Sequence, residues 1–86
     1  MVYLLHKYKG ENMTKKEYKE INNIKSRTLK MELVIDWLLK AGVFNRRETY
    51  LLDTKDFKVE KLINESIKRK TNYKNWQELF KKELVR

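Results

Sequence analysis

Apolar residues fall at three- and four-residue spacing in four successive stretches of this chain, and that spacing commits it to a mainly helical fold. The stretches are Tyr18, Ile21 and Ile24; Met31, Val34, Ile35, Leu38 and Leu39; Val59, Leu62, Ile63 and Ile67; and Trp76, Leu79, Phe80 and Leu84. Local start and stop signals separate them. Thr14-Lys15-Lys16-Glu17 has the spacing of a capping box, in which a hydroxyl and a carboxylate exchange bonds with backbone amides. Asn22-Asn23 marks a turn, because Asn bonds its own backbone and tolerates left-handed conformations. Ser26 or Thr28 starts the second helix, and Gly42 stops it after Ala41. Asp53 or Thr54 caps the next, which ends on Lys68-Arg69-Lys70, cations suited to a helix C-terminus. Asn75, three residues before Glu78, opens the last.

Three shorter runs lack this period. Before Gly10, Val2 to Tyr8 reads as a short helix or strand with an apolar side. Val43-Phe44 and Thr49-Tyr50-Leu51-Leu52 are β-prone and flank the polar group Asn45-Arg46-Arg47-Glu48, a pattern that predicts a small hairpin. The expected fold class is mainly α with a small β-hairpin, in a single domain over residues 1–86.

A chain of 86 residues builds one modest core, and a 41% hydrophobic share supports it against 38% charged residues. The formal charge of +9 attracts polyanions, with nucleic acid the first candidate and an anionic membrane face the second. A merely solubilising charge excess is the bland alternative. There is no cysteine and one histidine, His6, so no thiolate metal site, thiol nucleophile or histidine dyad is expected. The absence of disulfides fits a reducing, cytoplasmic setting. No Gly-rich phosphate loop or nucleophile motif is present, so neither an enzyme nor a cofactor is expected. Acid pairs such as Glu17 with Glu20, or Asp53 with Asp56, are explained by helix capping. No run approaches the roughly 20 apolar residues of a membrane span. Met1 to Leu5 is too short for a signal-peptide core and lacks a basic leader.

In this order, residues 2–52 resemble a winged helix-turn-helix DNA-binding domain. Thr14 to Ile21 is similar to its second helix, Asn22-Asn23-Ile24 to the tight turn, and Ser26 to Lys30 to the polar start of a recognition helix. Leu38 to Phe44 resembles the exit into the wing, and Tyr50-Leu51-Leu52 its return strand. The resemblance implies a winged helix-turn-helix-like domain plus C-terminal helices over residues 54–86. It also implies that Lys25, Ser26, Arg27, Thr28 and Lys30 enter the major groove of double-stranded DNA, with Arg27 suited to guanine. Arg46 and Arg47 would touch the backbone or minor groove, and Lys15, Lys16 and Lys19 would lie near phosphates. A homodimer through Trp76, Leu79, Phe80 and Leu84 would present two recognition helices to a two-fold site.

Two functions follow as expectations. The first is a DNA-binding transcriptional or replication regulator of a mobile genetic element, the last clause resting on small size and a Lys- and Asn-rich, proline-free composition. The second is a helical inhibitor or adaptor that captures a host protein. It draws on Leu29, Leu33 and Trp37, a second apolar seam opposite the core stripe of the central helix, and on nearby Glu32 and Asp36. RNA binding is less favoured, since no aromatic-bearing sheet or Gly-rich RNA loop is visible.

Overall fold

A computed structural model describes residues 12–85. Five helices follow one another: α1 Lys15–Asn23, α2 Arg27–Lys40, α3 Arg46–Tyr50, α4 Val59–Lys70 and α5 Trp76–Leu79. The last runs on into a π-helical turn over Phe80–Leu84. The expected element Val2 to Tyr8, with His6, lies outside the described residues.

Helix starts are fixed by the side chains that precede them. Thr14 Oγ1 accepts the Glu17 amide at 3.0 Å while Glu17 accepts the Thr14 amide at 2.9 Å, a complete capping box. Ser26 Oγ accepts the Leu29 amide at 3.2 Å and opens α2. Asn75 Oδ1 accepts the Glu78 amide at 2.8 Å and opens α5. α4 differs from expectation. Asp53 and Asp56 spend their carboxylates on the amides of Lys55 and Lys58, making local turns, and the cap position falls to Lys58, which contributes no side-chain bond.

α2 ends in a Schellman motif. The Val43 amide donates to the Leu38 carbonyl and the Gly42 amide to the Leu39 carbonyl, both at 3.0 Å. Gly42 has φ +75°, the left-handed region in which a Cβ is penalised.

The hairpin expected over Val43 to Leu52 does not form, and with it the wing is lost. Among the described residues there is no strand, only an isolated parallel bridge between Met13 and Val85. The physical reason is a second capping box. Asn45 Oδ1 accepts the Glu48 amide and Glu48 accepts the Asn45 amide, each at 2.9 Å, which starts α3 where a hairpin tip was expected. Val43 and Phe44 are drawn into the core, whereas Tyr50 and Leu51 stand 87% and 79% exposed. The two β-prone runs therefore face different environments and never pair. Lys70, at the end of α4, pairs with Glu48 and lies 5.6 Å from the Phe44 ring centroid, holding α3 against α4. Burial raises the Glu48 pKa, but the Lys70 hydrogen bond, the Asn45 amide and the Lys70 charge outweigh it and hold the carboxyl below its ordinary value.

The core gathers Met31, Val34 and Leu38 of α2, Val59, Ile63 and Ile67 of α4, and Trp76, Leu79, Phe80 and Leu84 of the C-terminal segment. Leu62, expected in the α4 stripe, is 47% exposed. Trp76 is the hinge pin between α4 and α5. Its amide donates to Asn64 Oδ1 at 2.9 Å, its indole Nε1–H to Glu60 Oε2 at 2.8 Å, and its ring meets Phe80 edge-on at 5.3 Å. The Tyr18 hydroxyl donates to the Gln77 carbonyl at 3.3 Å, and the Met13 amide to the Leu84 carbonyl at 2.9 Å, so α1 is tied to the C-terminal turn. The Tyr73 hydroxyl donates to the Glu83 carboxylate, and that bond, with burial and the Glu83 charge, pushes the Tyr73 pKa up to about 12. No helix among the described residues is long and apolar enough to cross a membrane.

Candidate nucleic-acid interface

Burying Val59, Ile63 and Ile67 at four-residue spacing turns the other side of α4 outward. Lys61 and Lys68, seven residues apart, lie on that outward side, and Phe57, in the turn before the helix, lines a groove with them. The start of α2 approaches this row with Arg27, and the turn before α5 approaches it with Lys74. Together they enclose an open surface groove of about 460 Å³. Two carboxylates also line it, so four cations face two acids. One of those acids, Glu60, already accepts the Trp76 indole, while Glu65 is exposed. The remaining local field is positive, and it stands within a chain of net charge +9.

Of the residues expected at nucleic acid, Arg27 lines this groove. Ser26 is occupied as the α2 cap. Lys30 turns back to donate to the Asn22 carbonyl at 3.1 Å, closing the α1–α2 turn instead of facing outward. Thr28 is half-buried and Lys25 exposed. Lys15, Lys16 and Lys19 are exposed on α1 and do not line the groove. Arg46 and Arg47 are exposed in the first turn of α3, after the end of α2. Arg27 opens that same helix, so about 20 Å of α2 lies between them at 1.5 Å per residue. Lys61, Lys68, Lys74 and Phe57 were missed by sequence reasoning. For Phe57, Lys61 and Lys68 the signal was their spacing, with Asn64, opposite the apolar stripe; Lys74 carried none.

The residues expected at a dimer contact are elsewhere. Trp76, Leu79, Phe80 and Leu84 are all 0% exposed within one chain. They have no surface to offer a second copy while the C-terminal segment stays folded.

The Leu29, Leu33 and Trp37 seam is partly open: Leu29 is 47% exposed, and Leu33 and Trp37 are half-buried. With Ile21 and Ile24 of the α1 side, Leu33 and Trp37 floor a second groove of about 280 Å³, rimmed by Glu17 and Glu20. Lys40 pairs with Asp36 at 3.2 Å and sits 4.8 Å from the Trp37 ring centroid, covering one end of the seam.

The chain matches no family model, and neither a curated protein nor a solved structure is similar to it at a significant level. What the geometry defines is a small, strongly basic, mainly helical chain whose described residues form a cationic groove and an apolar groove.

Proposed function

We propose that this protein binds DNA and that the cationic groove between α2 and α4 is its contact surface. The observation that supports this reading is the convergence of Arg27, Lys61, Lys68 and Lys74 from three separate segments onto one concavity. Scattered charge keeps a protein soluble, but charge gathered across a tertiary contact focuses a field where a phosphate backbone can lie. Contacts of this kind position a nucleic acid without reading its sequence. The expected regulatory role in a mobile genetic element rests on size and composition, and the groove adds no argument for it.

Two triple variants of equal charge change test the reading in an anisotropy titration with labelled DNA at several salt concentrations. Arg27→Ala/Lys61→Ala/Lys68→Ala removes groove cations, and Lys15→Ala/Lys16→Ala/Lys19→Ala removes cations elsewhere. The groove variant is expected to lose affinity and to flatten the salt dependence by about two units of slope, at roughly 0.7–0.9 per phosphate contact. The α1 variant is expected to stay close to the parent. Equal losses in both would reduce the effect to net charge and sink the proposal.

A second reading, a protein-binding adaptor, draws on the apolar groove over Ile21, Ile24, Leu33 and Trp37. Under it, Leu33→Asp abolishes capture of a purified partner while DNA affinity stays unchanged.

A further inference from the structure

We infer that the cationic groove takes a single-stranded polynucleotide, one of whose bases stacks on Phe57; this deepens the DNA-binding reading and rests on it. Phe57 is 70% exposed at the edge of the groove, in a chain whose other two phenylalanines, Phe44 and Phe80, are buried. An aromatic ring left in water forgoes the burial that stabilises its neighbours in the core. Its position is set by the turns before α4. The Lys58 amide donates to Asp56 Oδ1 at 2.9 Å and the Val59 amide to the Asp56 carbonyl at 3.0 Å, so the backbone on both sides of Phe57 is pinned. Lys58 Nζ stands over the ring, 6.0 Å from its centroid, adding a cation to the same edge of the groove.

Cations plus an exposed aromatic face are the two components that hold an unpaired strand: the cations track its phosphates and the ring stacks on a base. A duplex uses only the first component, because its bases already stack on one another. The form of the surface argues the same way. Reading a major groove needs a helix or β-ribbon that projects into it, whereas Arg27 faces α4 across a concavity and Lys30 is folded back on Asn22. Lys61 and Lys68 stand about 10 Å apart along α4 at 1.5 Å per residue, with Phe57 in the turn before the helix, room for a short stretch of strand.

The test is anisotropy with labelled dT20, rU20 and a 20-base-pair duplex, on the parent protein, Phe57→Ala, Phe57→Tyr and Lys61→Ala/Lys68→Ala. Phe57 is exposed, so its replacement leaves the core intact. The expected result is tighter binding of a single strand than of duplex. Phe57→Ala should weaken single-strand binding roughly tenfold at unchanged salt slope, from the usual worth of one base–aromatic stack. Phe57→Tyr should restore it, and the double Lys variant should flatten the slope. Tighter binding of rU20 than of dT20, with the same Phe57 dependence, supports the stacked strand and identifies it as RNA, overturning the DNA reading. Duplex bound more tightly than either strand, with no loss in Phe57→Ala, overturns this inference and leaves the DNA reading standing. No binding of any probe overturns both.

Discussion

Replacing Trp76 by Phe isolates the joint on which the α4–α5 packing depends. The backbone amide still reaches Asn64, so the start of α5 keeps its anchor. What disappears is the indole N–H that donates to Glu60 at 2.8 Å, together with the volume of the second ring. A hydrogen bond to a carboxylate contributes about 1.5–3 kcal/mol when buried, and the half-exposed Glu60 brings this one down to or below that lower edge, about 1–1.5 kcal/mol. Trp76 is fully buried, so the void left by the missing ring adds about 1 kcal/mol at roughly 24 cal/mol per Å³. The total is about 2–2.5 kcal/mol, or a fall in Tm of about 8–20 °C for a chain of this size. Urea and thermal unfolding followed by far-UV circular dichroism read it directly. A double-mutant cycle with Glu60→Ala separates the two contributions: Glu60→Ala should cost about 1 kcal/mol in the parent and almost nothing beside Trp76→Phe. Strictly additive losses, or a Trp76→Phe cost below about 1 kcal/mol, would refute the assignment of Trp76 as the pinned joint.

Gly42→Ala should cost about 1 kcal/mol in denaturant unfolding, all of it backbone strain, because the added Cβ meets nothing within 4 Å and the residue sits at φ +75°. Glu48 supplies a pH dependence: its folded pKa lies below the unfolded 4.5, so its contribution is complete above that value and fades as pH falls through the folded pKa. With both Glu48 and Lys70 side chains 35% exposed, the loss stays under about 1 kcal/mol. Glu48→Gln should remove that part of the acid limb in unfolding curves taken between about pH 7 and pH 3.

The start signals at Thr14, Ser26 and Asn75 were legible because a cap is a local event: the side chain bonds an amide three residues on, whatever lies around it. Gly42 belongs with them, since a left-handed residue after a helix is chosen by backbone sterics. Asn45 and Glu48 carry the same spacing as Thr14 and Glu17, yet the β-prone residues on either side pointed to a hairpin. Only the tertiary structure decided between them, by burying Phe44 in the core while leaving Tyr50 and Leu51 in water. A hairpin needs both runs in one environment, and propensity does not carry that information. The C-terminal stripe has the same character. Period 3.6 marks Trp76, Leu79, Phe80 and Leu84 as a face to be covered, but a face covered by α4 and one covered by a second copy have the same pattern. The outward row of α4 was also written in the chain, in Phe57, Lys61 and Lys68. That Arg27 closes it into a groove was not, because the partners lie thirty or more positions apart in sequence and are brought together only by packing α2 and α4 on one shared core.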